Sequence, residues 1–320
     1  DSAIVSKLSS SLFISDATRY LVNELFGKYG LVIIDGNDKA LKRQFIPQIK
    51  KDILQSGFVS AINDCSNLLA QDYKKQAFFR NINFFKLSDG ARDLIKVPVN
   101  SREIELYPER FSPNVLLRPL YQEVILPNIA YVGGEAEIAY WMQLKTMFKQ
   151  EKIPFPILVL RNSALLIDEK KQCKFESLGF KLKDLFLPQD ELNRGYLLAH
   201  SNVDISLEEH KKSLDLLYQE IAIKTSDIGL KSSIKAQLQR QFSFLDGIED
   251  KFIRNEKQNN KVSINQIAKI KNLLFPNNML QERHENFIQF YLEEGDNFIK
   301  RLKDNFDPMS PNFVVLTIKS

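Results

Sequence analysis

A strand–helix–strand pattern between residues 129 and 160 most restricts how this 320-residue chain can fold. Two short apolar runs, 129–132 and 156–160, flank a segment from Glu135 to about Gln150 whose apolar residues recur at helical spacing. Short, continuously apolar strands are typical of a parallel sheet that is covered on both faces. Strand, helix and strand in this order form a βαβ unit, which predicts an α/β fold with a right-handed crossover.

A third short apolar run, Leu31 to Ile34, ends at Asp35-Gly36 and predicts a further strand that is buried on both faces. Apolar residues at helical spacing predict a helix before this run, from about Asp16 to Phe26, and another after it, from Lys39 to about Leu54. Asn37 and Asp38 can cap the second helix, because short polar side chains accept hydrogen bonds from the first backbone N–H groups of a helix.

The region between these elements and the βαβ unit predicts smaller elements. Residues 61–73 fit a helix, and the aromatic stretch from Phe78 to Leu87 fits a β-hairpin that turns at Ser88-Asp89-Gly90-Ala91. Asn100 begins a short helix that Pro108 ends. An amphipathic helix is expected from Asn114 to about Leu126, closed by Pro127.

Beyond Pro188 the apolar residues recur at close to heptad spacing. Short polar breaks, including the stretch 255–261, separate three such seams, which predicts antiparallel helices packed as a coiled-coil hairpin. A last helical region, 281–305, precedes a short extended tail from Asn312 to Ile318. The seams consist of Leu207, Leu214, Leu217 and Ile221, then Ile234, Leu238, Leu245 and Phe252, then Ile264, Ile267, Ile270 and Leu274.

Composition excludes several classes of protein. Hydrophobic residues make up 44% and charged residues 26% of the chain, which is ordinary for a folded domain, and the net charge of +4 is too small to indicate a nucleic-acid binder. The apolar runs are too short to span a membrane. Cys65 and Cys173 have no partner at metal-ligand spacing, which indicates neither a zinc site nor a disulfide framework and fits a reducing, cytoplasmic location.

Polar residues follow all three predicted strands. In a parallel sheet these strand exits lie along one edge, where α/β proteins bind ligands. Glycine lets backbone approach a ligand, a helix N-terminus offers N–H groups, and Arg161 can pair with a carboxylate or phosphate. The sequence therefore predicts a polar-ligand site built from Asp35-Gly36-Asn37-Asp38, Gly133-Gly134-Glu135-Ala136-Glu137 and Arg161-Asn162-Ser163.

Each of these residues also has a structural interpretation. Gly133-Gly134 can be a tight turn, Glu137 can complement the helix dipole, Asp35 can be a cap, and Trp141 can be a core residue. The three histidines, at positions 200, 210 and 284, have no visible acid or nucleophile partner and are expected to be solvated or structural. Phosphate-loop, dinucleotide-binding and zinc-protease motifs are absent from the sequence.

The block from Tyr107 to Pro119, which reads Tyr-Pro-Glu-Arg-Phe-Ser-Pro-Asn-Val-Leu-Leu-Arg-Pro, resembles the family of cysteine ligases in bacillithiol biosynthesis. The likeness covers nearly the whole chain. It continues through the segments Glu24-Leu25-Phe26, Tyr29 to Asp35, Gln122 to Pro127, Ala130 to Gly134, Glu137 to Trp141, Pro156 to Ser163 and Leu280 to Arg283.

This resemblance implies a Rossmann-like core related to class I aminoacyl-tRNA synthetases, with connecting inserts and a C-terminal helical coiled coil that pairs two protomers. The expected fold is thus α/β, a partial Rossmann-like parallel sheet followed by a coiled-coil domain. The implied divisions are a core segment at 1–57, an insert at 58–112, a second core segment at 113–188, the helical domain at 189–305 and a tail at 306–320.

The resemblance also implies a reaction, which joins the carboxyl group of cysteine to the amine of glucosaminyl-malate after activation by ATP. No metal site is visible in the sequence. From their positions at the strand exits, Arg161 and Asn162 would orient substrate carboxylates, and Glu137 would meet an ammonium or hydroxyl group. The candidate catalytic residues are Glu137 and Asp35. The candidate substrate- or nucleotide-binding residues are Gly133, Gly134, Arg161, Asn162, Ser163, Trp141, Arg118 and Asn114.

Two departures from the family pattern alter these expectations. The family commonly has Gly-Gly-Pro-Gly-Glu at the strand exit, whereas this chain has Glu135 within Gly133 to Glu137, which adds negative charge where a phosphate would approach. The N-terminal half of the family's core has no counterpart before Asp1, so we expect a fragment that is inactive alone. A second interpretation is a coiled-coil dimerisation scaffold whose nucleotide-binding-like core is vestigial.

Overall fold

The structure, a computed structural model, describes residues 13–200 and 206–318. The chain divides into an N-terminal unit, formed by Asp1–Asn162 with Phe290–Asn312, and a C-terminal unit, formed by Ser163–Gln289 with Phe313–Ser320. The five divisions expected from the sequence remain a prediction. Three of them, 1–57, 189–305 and 306–320, extend in part outside the described residues.

The N-terminal unit alternates short helices with short strands. Its elements are α1 Ile14–Phe26, α2 Lys39–Gln44, α3 Ile46–Gln55, α4 Val59–Leu69, β1 Phe84–Ser88, β2 Ala91–Leu94, α5 Ser101–Leu106, β3 Phe111–Pro113, α6 Arg118–Ile125, β4 Ala130–Gly133, α7 Glu135–Trp141, α8 Lys145–Glu151 and β5 Ile157–Leu160. Later in the chain, α15 Ile288–Glu294 leads into this unit and α16 Asp296–Asn305 lies within it.

Local chemistry sets where several of these helices begin. Asp38 accepts hydrogen bonds from the backbone N–H groups of Ala40 and Leu41, and Asn100 accepts one from Arg102, so both residues cap helices as predicted. The predicted helix from Lys39 to Leu54 is present but breaks at Phe45 into α2 and α3.

The predicted hairpin is confirmed, in a narrower form. β1 pairs antiparallel with β2 across Asp89-Gly90, and Gly90 adopts a φ of 74°, the left-handed conformation that favours glycine in such turns. β3 adds to the other edge of β1, which gives the strand order β2-β1-β3. The first strand begins at Phe84 rather than Phe78.

The βαβ unit is also confirmed. β4 and β5 pair in parallel, from Ala130 opposite Ile157 to Gly133 opposite Leu160. The crossover was predicted as one helix from Glu135 to Gln150. It is instead α7 and α8, joined by a 3₁₀ turn at Met142–Leu144, which redirects the chain while keeping Trp141 and Phe148 buried.

The predicted burial of the strands is wrong. Residues 31–34 form no strand, and Val32 is 78% exposed. Ile129, immediately before β4, is 88% exposed, and Ile157 of β5 is 63% exposed. A strand is buried only where neighbouring strands and covering layers exist. In the part of the chain that is described, this sheet has two strands, and nothing pairs with residues 31–34.

The core of the N-terminal unit lies away from this sheet's exposed side. It is one cluster rich in aromatic rings and helix-borne aliphatic side chains, and its largest fully buried members include Phe45, Phe58, Phe84, Phe111, Trp141 and Phe148. The core residues of α6, Leu120 and Tyr121, belong to the same cluster, so the packing fixes the helix that begins at Arg118.

The C-terminal unit contains the helical domain and a small parallel sheet. β6 Ser163–Asp168 pairs with β7 Phe313–Ile318, so Ser163 begins a strand rather than following one. The helices are α9 Glu169–Ser177, α10 Gln189–His200, α11 Glu208–Ile223, α12 Ile228–Asn259, α13 Lys261–Leu274 and α14 Gln281–His284.

α11 and α12 form the predicted antiparallel hairpin. Near its open end, Lys211 of α11 pairs with Asp246 and Glu249 of α12, at 2.7 and 3.4 Å. The polar stretch that was expected to separate the second and third seams lies mostly inside α12, and the helix breaks at Asn260. No helix among residues 13–200 and 206–318 has the length and apolar character needed to cross a membrane.

Candidate functional site

Arg118 is the centre of a polar cluster at the carboxyl end of β4. Its Nη2 donates hydrogen bonds to the phenol oxygens of Tyr140, at 3.0 Å, and Tyr131, at 3.4 Å, and lies 3.8 Å from Oε1 of Glu137. Its Nη1 donates to Oε1 of Gln122, one helical turn further along α6, at 3.4 Å. One guanidinium therefore gathers groups from α6, β4 and α7.

The cluster adjoins a groove of about 330 Å³ in the N-terminal unit. Tyr121 forms part of its wall and donates a hydrogen bond from its hydroxyl to the carbonyl of Gly36, at 3.0 Å. Burial raises the pKa of Tyr121 to about 12, so the phenol stays protonated at neutral pH. The groove is lined by Val32, Ile34, Gly36, Arg118, Tyr121, Gln122, Ile125, Leu126 and Asn128.

Charges of both signs are accessible at this site. The side chains of Arg118 and Glu137 are 41% and 45% exposed, and Arg118 keeps N–H groups that can meet a carboxylate. Glu137 accepts the backbone N–H of Gly134 through Oε2, at 3.0 Å, which leaves Oε1 for other donors. The arrangement suits a ligand that carries a carboxylate together with an ammonium or hydroxyl group.

The two glycines at the carboxyl end of β4 have different structural roles. The Tyr131 ring leans over Gly133, so that a Cβ added at Gly133 would lie 2.5 Å from Cε1 of Tyr131 and 3.3 Å from Cδ1 of Ile138. Gly134 precedes α7, and its N–H is bound by Glu137 in a capping interaction. Gly133 thus makes room for a protein ring, and Gly134 completes the helix cap.

Other residues predicted for the site make contacts elsewhere. Asp35 accepts the backbone N–H of Asn37 and pairs with Arg19 at 3.2 Å. Asn162 donates from Nδ2 to the carbonyl of Asp307 at 2.8 Å, and Ser163, in the C-terminal unit, donates to Glu282 at 3.3 Å. Arg161 is exposed, and its backbone N–H donates to Gly133 at 2.9 Å.

Two further candidates support the site from within the protein. Asn114 caps the turn before α6, since its Oδ1 accepts the N–H groups of Leu116 and Leu117 at 2.9 and 3.1 Å. Trp141 is fully buried and stacks on Tyr131, with ring centroids 4.2 Å apart. The structure therefore brings together Arg118, Glu137, Gly133, Gly134 and Trp141.

Sequence reasoning missed Tyr121, Gln122, Tyr131 and Tyr140. Gln122 had a usable signal, because it follows Arg118 by four residues on one helix and so faces the same side. Tyr121 likewise follows Arg118 by three residues on that helix. Tyr131 and Tyr140 had no such signal, since they lie 13 and 22 residues from Arg118 and reach it only through the folded chain.

We expect Gly133→Ala to move the Tyr131 ring off Trp141, because the new methyl group would overlap that ring. Trp141 is the sole tryptophan of the chain, so its fluorescence spectrum reports this displacement directly. Gly36→Ala is the matched control, since a Cβ there would lie an ordinary 3.9 Å from Tyr121. Identical emission spectra for Gly133→Ala and the unaltered chain would contradict the expected displacement.

Comparison with known proteins agrees with this architecture. Residues 2–162 match the family described as "Bacillithiol biosynthesis BshC, N-terminal Rossmann-like domain", and residues 164–318 match "Bacillithiol biosynthesis BshC, C-terminal coiled-coil domain". The chain belongs to the BshC family. This confirms the resemblance and the fold class predicted from the sequence: a Rossmann-like α/β domain followed by a coiled-coil domain.

Relatives in the BshC family extend beyond the region matched here. Proteins of Christiangramia forsetii and Flavobacterium psychrophilum, each named "Putative cysteine ligase BshC", are 40% identical over 324 residues, which cover 95% of this chain and 60% of each relative. A protein of the same name from Staphylococcus aureus is 24% identical over 332 residues, 61% of its length. The chain thus spans about three-fifths of the relatives it matches.

The β4–α7 turn does not fit the phosphates of the ATP that the family resemblance implies. The N–H of Gly134 is already bound to Glu137, α7 has only seven residues, and Glu135 adds a second carboxylate to its first turn. No residue of this turn is therefore assigned to a nucleotide. Among the described residues no group of three or more His, Cys, Asp or Glu side chains could hold a metal ion.

The C-terminal unit has its own groove, of about 560 Å³. None of the site residues predicted from the sequence lines this groove. The ammonium of Lys271 is buried there, donates to the carbonyl of Leu185 and lies 3.7 Å from the ring centroid of Phe275. Burial lowers the pKa of Lys271.

Proposed function

We propose that this chain forms part of a ligase that joins the carboxyl group of cysteine to the amine of glucosaminyl-malate in bacillithiol biosynthesis. Membership of the BshC family supports this assignment, as do the relatives named as cysteine ligases. The observation that carries it furthest is the Arg118 cluster, which sets one guanidinium and one carboxylate 3.8 Å apart beside a groove.

In this proposal, Arg118 binds a carboxylate of the substrates and the two phenols orient its guanidinium. Tyr140 and Tyr131 each accept one hydrogen bond from Nη2, which restricts the rotation of the side chain. Glu137 meets the ammonium group of cysteine or the sugar amine through Oε1. Charge-assisted hydrogen bonds of this kind are the strong ones in proteins.

Formation of the amide bond also needs an activated carboxyl group. Joining a carboxylate to an ammonium group releases water, so the reaction requires a co-reactant that removes the carboxylate oxygen. We include ATP in that role as part of the proposal and assign it no residue of this chain. The same assay that tests the ligase tests this co-reactant by leaving it out.

We also propose that the enzyme is a homodimer that assembles through the α11–α12 hairpin. Several large apolar side chains on these two helices remain exposed, which is expected of a surface that meets another helix pair. They include Leu216, Leu217, Phe244 and Phe252.

The test is a mass-spectrometric assay of the longest natural polypeptide that contains these 320 residues. It is incubated with cysteine, glucosaminyl-malate and ATP, and each component is omitted in turn. Bacillithiol formed only with all three supports the ligase and its activation by ATP. No product from a folded, dimeric protein would favour instead the coiled-coil scaffold with a vestigial core.

Arg118→Met is expected to lower kcat/KM by about tenfold to a hundredfold, because it removes hydrogen bonds to a charged substrate group. Arg240→Met, on α12 of the C-terminal unit, is the matched control and is expected to leave kcat/KM unchanged. If Arg118→Met retains the kcat/KM of the control, Arg118 does not bind the substrate, even if the ligase activity itself is real.

A further inference from the structure

A fully buried carboxylate, Asp52, lies in the core of the N-terminal unit and pairs with no lysine or arginine of the described residues. Its Oδ2 accepts the backbone N–H of Asn83 at 2.6 Å, and its Oδ1 accepts Nδ2 of Asn83 at 3.2 Å. Burial raises the pKa of Asp52 to about 6, so the group is an ionised, acceptor-only carboxylate at neutral pH. Burying an ionised carboxylate without a charged partner costs free energy, so its presence in the core indicates a structural or functional role.

The two oxygens of Asp52, together with the backbone of Arg80, fix which way the amide of Asn83 points. Both groups that Asn83 turns towards Asp52 are donors, and its Nδ2 also donates to the carbonyl of Arg80 at 2.6 Å. Its Oδ1 is therefore directed to the other side, where it accepts the N–H of Arg80 and Nδ2 of Asn114, at 3.1 and 2.9 Å. A neutral amide in place of Asp52 would present a donor to a donor.

The orientation of Asn83 in turn fixes that of Asn114. Because Nδ2 of Asn114 donates to Asn83, its Oδ1 faces the opposite way and accepts the N–H groups of Leu116 and Leu117. The backbone N–H of Arg118 donates to the carbonyl of the same Asn114, at 2.9 Å. Two amides thus connect the buried carboxylate to the first turn of α6.

We propose that Asp52 is a positioning residue for Arg118, acting through the amides of Asn83 and Asn114. The carboxylate helps to hold Asn83, and through it Asn114, in the amide orientation that caps α6, so that Arg118 points at Tyr131 and Tyr140. The importance of this for catalysis rests on the proposed function. The connection itself is a property of the folded chain and can be tested without any substrate.

The test measures how fast phenylglyoxal modifies Arg118 in the whole chain, read by peptide mass spectrometry and normalised to Arg240. Asp52→Asn keeps the shape of the side chain and turns one acceptor into a donor. We expect it to speed modification of Arg118 about threefold to tenfold, the factor that loss of one hydrogen bond produces. An unchanged rate would overturn the proposal.

The same substitution made in an Asn114→Ser protein separates an effect on the position of Arg118 from an effect on overall stability. Asn114→Ser keeps a side chain that caps helices well but has no amide to flip, so its orientation is not set by the side chain of Asn83. In this background Asp52→Asn is expected to leave the rate at Arg118 unchanged. If Asp52→Asn accelerates modification of Arg118 equally in both backgrounds, Asp52 acts only through overall stability, and the proposed connection through Asn83 and Asn114 is rejected.

Asn83→Ser is the further variant in case Asp52→Asn does not fold, since it removes the middle amide and leaves the carboxylate in place. It is expected to accelerate modification of Arg118 as Asp52→Asn does, and an unchanged rate would again overturn the proposal. The two proposals can fail separately. If Asp52→Asn and Asn83→Ser accelerate modification of Arg118 as expected, but Arg118→Met leaves kcat/KM unchanged, the connection from Asp52 to Arg118 is supported and the proposed function of Arg118 is refuted.

Discussion

Replacing Trp141 with alanine is expected to lower the free energy of unfolding of the N-terminal unit by about 4 kcal/mol, the usual cost of removing a large buried aromatic side chain. Trp141 is fully buried and stacks on Tyr131. Its ring also meets Phe148 and Phe155, at centroid distances of 5.8 and 5.9 Å. Alanine would leave a cavity among three aromatic rings, which can close over it only in part.

Trp141→Phe separates ring volume from polarity at the same position. The indole Nε1 is buried and has no hydrogen-bond partner within the part of the chain that the structure describes, so phenylalanine loses packing but also removes an unpaired donor. We therefore expect its cost to be less than half that of alanine.

The measurement is hydrogen exchange of peptides from residues 116–160 at increasing urea, which follows the N-terminal unit separately from the helical one. Leu217→Ala is the control, because Leu217 is half exposed on α11 and its truncation should leave these peptides unchanged. A loss below about 1 kcal/mol for Trp141→Ala, within the range of ordinary surface changes, would show that the cluster does not depend on this ring.

The elements that could be predicted from the sequence are those fixed by neighbouring residues. Asp38 and Asn100 begin helices because their side chains reach backbone N–H groups two or three positions along the chain. The turn at Asp89-Gly90 and the βαβ unit follow from equally short patterns. Such features need no knowledge of distant residues.

Whether the run from Leu31 to Ile34 is buried or exposed could not be predicted from such short patterns. An apolar run shows only that a strand could be covered, whereas its actual pairing and burial depend on other elements of the sheet. The exposed side chains of Val32, Ile129 and Ile157 show that this covering is absent from the described residues.

The residues of the candidate site also divide into those that the sequence could predict and those that it could not. Strand-exit reasoning found Glu137 and the two glycines because they adjoin β4, and the family resemblance pointed to Arg118. The tyrosines around Arg118, and the path from Asp52 through Asn83 to Asn114, join residues 13 to 31 positions apart. No local spacing rule connects positions so distant, so these contacts become visible only when the core packs.

Lys42 is expected to make the N-terminal unit more stable as the pH rises from about 8 to about 10.5. Its side chain is buried, donates from Nζ to the carbonyl of Phe111 at 2.6 Å and lies 4.9 Å from the ring centroid of Tyr121. Burial is the main cause that lowers the pKa of Lys42 from 10.5 to about 8. The positive charge of Arg92 lowers it further, and Asp35 opposes the shift.

The sign follows from proton binding. The folded state holds the proton of Lys42 less tightly than the unfolded state, so the destabilisation is complete below pH 8 and is relieved as the pH passes from the folded to the unfolded pKa. A shift from 10.5 to about 8 corresponds to about 3 kcal/mol. Because other lysines and tyrosines titrate in the same range, the effect must be measured as a difference between variants.

Lys42→Met removes the titrating group and keeps an unbranched side chain of similar length. The free energy of unfolding of the original chain should rise relative to Lys42→Met by about 3 kcal/mol between pH 7 and pH 10.5. Lys39→Met is the control, since Lys39 lies on the same helix but is exposed and paired with Glu109. If the unfolding curves of the original chain and Lys42→Met stay parallel across this range, Lys42 is solvated, and the groove wall at Tyr121 is more open than the structure indicates.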